Sequence, residues 1–220
     1  MPRSTNELPS QIFNFNADKN GILTIDNLIE GDTVKGMKHI KQTLIDISMD
    51  IDYYLEKDPT ASSKWHIILF SAGFHGLLLY RISTLLWKNR LGFLARGLHL
   101  VSRIVYSMDI HPAARVEGGV VIDHGVGVVI GSTASVGTGT LIYHGVTLGS
   151  KNVMKGKRHP DIGRNVVLGA GAKILGPIYV GDNSRVGANS VVIEHMPQFS
   201  LVTGIPGRIH RVCERLGSQQ

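Results

Sequence analysis

The chain has one cysteine, Cys213, in 220 residues. No internal disulfide can form, so the cytoplasm is the expected compartment. The opening MPRSTNELPSQIFNF lacks the apolar core of a signal peptide. No clean 18-residue apolar run occurs. The most apolar stretch, residues 67–87, is interrupted by His75 and Arg81 and reads as a packed core helix, with no membrane expected as partner. Aromatic residues make up only 6%, which argues against a large aromatic core. The formal charge is +6, yet there is no arginine-rich run, zinc signature or aromatic–basic interleaving, so nucleic acid is not expected either. A phosphate-bearing small molecule or a solvated basic surface accounts for the sign. No serine or cysteine stands in a GxSxG-type nucleophile motif.

What is abundant is glycine, 26 residues, and a pattern that changes half-way. Residues 1–32 mix Asn, Asp, Pro and Gly without periodicity and read as irregular. From Thr33 the spacing is helical: Ile40, Leu44, Ile47, Ile51 and Leu55 recur every three or four residues up to the Asp58-Pro59 break. Further helices are expected at about 61–70, 74–89 and 91–106, completing an α-helical domain at 33–107.

After Ser107 the period becomes six. Ile110, Val116, Ile122, Val128, Ala134, Thr140 and Val146 form one series, and Ile162, Leu168, Ile174, Val180, Val186 and Val192 a second. Six fits neither a helix nor a hairpin; it is the signature of a parallel β-helix. Each hexad gives a short strand and a turn, three hexads make a triangular coil, and stacking buries what no hexad buries alone. The expected fold is mainly β with an α-helical N-terminal domain: a left-handed parallel β-helix over 108–210, with four to five coils, an extruded basic loop at 149–161 and a tail at 211–220.

Two titratable pairs interrupt this packing pattern: Asp123-His124 inside VVIDHGVGVVIG, and Arg158-His159 at the end of the loop. A histidine has the acidity to act as a base near neutral pH. It needs an acceptor on its second ring nitrogen. A guanidinium suits a carboxylate ligand and a carboxylate suits an ammonium.

DIHPAA at 109–114, DHG.G.VIG at 123–131, VTLG at 146–149, RHP.I at 158–162, LGAGAKILG at 168–176, VGANSVV at 186–192 and GIPGRI at 204–209, with Asp58-Pro59 and GFHGLLLYRI…LW at 73–87, together resemble the serine O-acetyltransferases among the hexapeptide-repeat acyltransferases. The resemblance spans about residues 34–210. It implies acetyl transfer from acetyl-CoA to the hydroxyl of L-serine, in cysteine biosynthesis, with no metal. It implies His124 as base, Asp109 as the acid orienting it, Asp58 and Asp123 on the ammonium, and Arg158 and His159 on the carboxylate, with His159 also near the hydroxyl. Direct attack on the thioester is expected. For the acetyl-CoA arm the resemblance points to the small residues Ala170 and Ala188, with Ser150 near the thioester end; by their charge alone, Lys173 and Arg208 are candidates for the coenzyme's phosphates. It also implies a homotrimer or a dimer of trimers.

Three features depart from the family pattern. The loop SKNVMKGK is bulkier and more basic than the family's glycine-rich one, with Ser150 in place of a glycine. The first thirty-odd residues do not resemble the family's helices, which usually join two trimers, so a trimer stands as an option beside the dimer of trimers. The chain ends RLGSQQ, without the long tail that binds O-acetylserine sulfhydrylase, which argues against that complex. The competing readings are an acetyltransferase of another hydroxyl or amine acceptor, such as a sugar or specialised amino acid, a zinc-type hydratase with three converging histidines, and a non-enzymatic scaffold.

Overall fold

The computed structural model describes residues 25–153 and 155–211. The rest of the N-terminal segment and nearly all of the tail, with Cys213, lie outside these residues. The chain divides into two units, residues 1–38 and 39–220. Helix α1, Ile25–Lys57, begins eight residues before the expected start at Thr33. Ile25, Leu28 and Ile29 already carry helical spacing, and a single glycine such as Gly31 costs only about 1 kcal/mol against alanine, too little to end a helix.

Three further helices follow: α2 (Lys64–Phe70), α3 (Ala72–Lys88) and α4 (Gly92–Val105). Ser63 caps α2 by accepting from the His66 amide, and Ser71 caps α3 by accepting from Phe74. Between α2 and α3 the chain bends by 77°. Among the described residues no single helix is long and apolar enough to cross a membrane. The apolar stretch at 67–87 instead buries Phe74, Leu77 and Tyr80.

The repeat region opens with strands β1 (Asp109–Ile110), β2 (Arg115–Val116) and β3 (Val121–Asp123), one on each wall of the first coil. The second coil holds β4 (Val129–Ile130), β5 (Ser135–Val136) and β6 (Leu141–Tyr143), and the third β7 (Thr147–Gly149), β8 (Asp161–Ile162) and β9 (Val167–Leu168). Then come β10 (Lys173–Leu175), β11 (Tyr179–Val180), β12 (Arg185–Val186), β13 (Val191–Val192), β14 (Ser200–Thr203) and β15 (Arg208–Arg211). They stack into three walls: β1-β4-β7-β10-β13, β2-β5-β8-β11 and β3-β6-β9-β12-β14-β15. All pairings are parallel except β14–β15, a terminal hairpin.

Each hexad buries two residues, one in the strand and one two positions earlier, and the single series expected at 110–146 crosses from one column to the other. Ile110, Val116 and Ile122 occupy strand positions. Val128, Ala134, Thr140 and Val146 precede the strand residues Ile130, Val136, Ile142 and Leu148; all are buried. The count of six survives because two extra residues lie between β3 and β4. Asp109 pairs with Val129, twenty residues on, whereas Val129 pairs with Thr147, eighteen on. The insertion was invisible in the sequence because both columns are aliphatic.

The helices close the open end of the prism. Among the described residues strands β2 and β3 have no strand above them, and unpaired buried edge groups are costly. The Tyr54 hydroxyl donates to the Ile122 carbonyl (2.9 Å) and accepts from the Ile122 amide (3.0 Å). Tyr80 does the same for Ala114 and Val116 (2.8 and 3.1 Å). Arg81 makes a two-bond contact with Asp50 (2.9 Å each) and donates to the carbonyls of Val116 and Glu117, while Asp50 accepts from Gly119. Helix α3 approaches so closely that a Cβ on Gly73 would lie 1.9 Å from the Ile122 oxygen.

Candidate active site

The sequence-predicted residues fall into two groups, on different corners of the prism. The first lies where β3 turns into β4. The two-residue insertion bulges here: His124, Gly125 and Gly127 all have positive φ (61°, 65° and 74°). An L-residue held left-handed costs about 1–2 kcal/mol, and such strain concentrates at functional sites. The bulge is fixed by backbone bonds from Gly125 to Asp123 and from Gly127 to Ser107. It turns the His124 ring out of the wall, leaving its side chain 75% exposed.

The Asp123 carboxylate lies 3.7 Å from His124 Nε2. His144, at the same corner one coil on, meets the His124 ring edge-on at 6.2 Å. Beside them a cleft of about 450 Å³ is lined by Asp58, Asp123, His124, His66 and Tyr143, among others. Asp58 stands at the end of α1, where its Oδ1 accepts from the Thr60 amide and hydroxyl (2.8 and 2.7 Å). The helix stop and the placement of the carboxylate are thus one feature. Asp58, Asp123 and His124 are brought together.

The second group lies where the first wall turns into the second. The loop leaves β7 and returns at β8, carrying Arg158 and His159. His159 is only 7% exposed. Its ring lies over Gly131, where a Cβ would come within 2.1 Å of Cδ2 and Nε2. Burial, then Arg158, Lys157 and His111, lower its pKa, so the ring is neutral at pH 7. Arg158 donates from its amide to Thr133 Oγ1 (3.1 Å), with its guanidinium 3.4 Å from Ser132 Oγ.

Asp109 belongs with this second group. Within one chain it is not brought to His124: its carboxylate is held by His99 Nε2 (2.7 Å) and Arg103 Nε (3.4 Å) of α4. His99 was legible only as a core histidine, and nothing in its helical context signalled an acid partner. His99 also packs edge-on against His111. Burial and the neighbouring His99 lower the pKa of His111.

The residues expected along the acetyl-CoA arm divide too. Ala170 and Ala188 share the His124 corner on successive coils; the Asn189 amide donates to the Ala170 carbonyl (2.8 Å). On the same corner a Cβ on Gly127 would lie 3.5 Å from the Gly145 Cα and one on Gly145 3.4 Å from the Gly171 Cα, so these glycines stack coil on coil and keep the corner low. Lys173 turns its ammonium to the Gly145 carbonyl on the same corner. Arg208 is exposed on β15. Ser150 sits at the root of the loop, in the other group, donating to the Asn152 carbonyl (2.5 Å).

A chain of this geometry has close relatives. The serine acetyltransferase of Helicobacter pylori strain J99 is 47% identical over 161 residues, spanning 73% of this chain and 94% of the relative. The chain belongs to the serine acetyltransferase family. The bacterial transferase hexapeptide (six repeats) family matches residues 159–194. Among solved members of the family, the Neisseria gonorrhoeae enzyme in complex with serine superposes with a TM-score of 0.75 at 36% identity, covering 79% of this chain and 72% of that one. The Brucella abortus strain S19 enzyme in complex with coenzyme A gives 0.76 at 35%, covering 84% and 74%.

Proposed function

We propose that the protein transfers the acetyl group of acetyl-CoA to the hydroxyl of L-serine, in a site assembled from the two corner groups of neighbouring copies. The observation that carries the reading is the His124 bulge: a strained, outward imidazole beside Asp123 and Asp58 in one cleft. The family relatives named for this activity, and those bound to serine and to coenzyme A, support the choice of substrates.

His124 takes the proton of the serine hydroxyl as its oxygen attacks the thioester carbonyl. The tetrahedral oxyanion collapses with cleavage of the C–S bond, and the departing thiolate takes the proton back from the imidazolium. Asp58 and Asp123 hold the ammonium, and Arg158 and His159 the carboxylate. Asp109, steadied by His99 and Arg103, orients the base. The arm of acetyl-CoA runs along the low corner at Ala170 and Ala188, with Ser150, Lys173 and Arg208 toward its ends.

Three copies around an axis parallel to the prism set the His124 corner of one against the Arg158 corner of the next. The apolar face of α4, with Leu94, Val101, Ile104 and Val105 exposed, supports association. The lone cysteine and the coenzyme suit a cytoplasmic setting.

The test is thiol release from acetyl-CoA with L-serine, D-serine, homoserine and amino sugars as acceptors. L-serine is expected to be preferred, and a preference for an amino sugar would overturn the acceptor. His124→Ala is expected to lose about 10²–10⁴-fold in turnover while remaining folded. Co-expressing His124→Ala with Arg158→Ala is expected to restore activity, because mixed assemblies regain intact sites. No recovery would return the site to a single chain.

A further inference from the structure

Thr133 lies in the turn between β4 and β5, beneath the returning end of the loop. Its hydroxyl oxygen accepts two backbone hydrogen bonds, from Arg158 (3.1 Å) and His159 (3.2 Å). The same hydroxyl lies 2.8 Å from His159 Nδ1, and the Thr133 amide donates to that nitrogen at 3.2 Å. A backbone amide can only donate, so Nδ1 must present its lone pair. With its oxygen occupied by two donors, the hydroxyl directs its own proton to Nδ1 as well.

We infer that Thr133 is a positioning residue that fixes His159 in the tautomer carrying its proton on Nε2. The inference rests on the reading of His159 as an acceptor-contacting group and adds what that group can do: it is a hydrogen-bond donor at Nε2, suited to a carboxylate or a developing oxyanion and unsuited to serve as a second base. An imidazolium would set an Nδ1–H against the Thr133 amide, donor against donor. The positive groups near the ring, Arg158 and Lys157, oppose that proton as well. Lys157 is tied into the same turn, donating to the Thr133 carbonyl (2.6 Å) and to Asp161 (2.7 Å). The ring cannot escape by flattening onto the wall, since it already rests on the Cα of Gly131.

The test uses the full chain labelled with ¹⁵N-histidine at pH 7.5, the His159 signals being assigned by their loss in His159→Asn. Expected are a pyridine-type Nδ1 and a pyrrole-type Nε2 in the unmodified protein. Thr133→Val removes the hydroxyl that anchors the Arg158 and His159 amides, so the ring should drift from the Thr133 amide, mix its tautomers and lower kcat/KM for L-serine by about tenfold or more, with KM for acetyl-CoA unchanged. Thr133→Ser, which keeps the hydroxyl, should restore both the nitrogen signals and the rate. A pyrrole-type Nδ1 in the unmodified protein overturns the inference, as does Thr133→Val with unaltered signals and kinetics, or Thr133→Ser as impaired as the valine variant. Full turnover in His159→Ala would instead overturn the acceptor role of His159, while the nitrogen signals still decide where the proton sits.

Discussion

Removing one oxygen from Tyr54 tests how the prism is closed. In Tyr54→Phe the ring, 2% exposed, keeps its packing, so the change isolates the hydroxyl. Both Ile122 backbone groups that it serves face the helices and lose their partner. Burial raises the pKa of the phenol, so in the native protein it donates throughout the working pH range. Leaving a buried polar group unpaired costs about 1–3 kcal/mol, so two at one edge cost about 2–6 kcal/mol. For a chain of this size each kcal/mol moves Tm by about 2–4 °C, giving a drop of about 4–24 °C. Thermal unfolding by circular dichroism reads it directly. Tyr80→Phe should cost a similar amount, since Tyr80 serves Ala114 and Val116 with the same two bonds. The two should differ in activity at 25 °C. Ile122 immediately precedes Asp123 and His124, so only the Tyr54 variant should also lower kcat. A Tm shift below about 2 °C in Tyr54→Phe would refute the closure argument, and equal loss of kcat in both variants would refute its link to the bulge.

Gly131→Ala is expected to push the His159 ring from its seat, because the new Cβ would meet it at 2.1 Å. The φ at Gly131 is not positive, so the backbone tolerates alanine. The assay is kcat/KM for L-serine against thermal stability: a large loss of the first with a folded protein is expected, and unchanged kinetics would show that the ring's position is immaterial. The lowered pKa values of His111 and His159 also predict a pH effect on stability. Both stay neutral in the native protein while the unfolded chain takes up protons near pH 6.5, so stability is full above that pH and falls as pH drops toward their lowered native values. Denaturant midpoints between pH 5 and 8 would show this slope, and His159→Gln should flatten it.

The sequence by itself determined the β-helix, because a period of six admits no other regular packing and every residue of both hexad series is buried. It determined the helix stop at Asp58, where proline forbids continuation, and singled out His124 and Arg158-His159 as polar pairs that a packing pattern cannot use. It could not show that the hexad count slips by two residues at the bulge, since valine fills either inward column equally well. Nor could it mark Thr133, one small turn residue among many, or the acid partner of His99, because those contacts join positions 26 and 10 residues apart through the stacking of coils and the docking of α4. Only the tertiary structure decided that Asp109 and His124, fifteen residues apart in sequence, face different surroundings. The triangular prism turns its corners outward in three directions, and a separation along the chain carries no information about which corner a side chain leaves from.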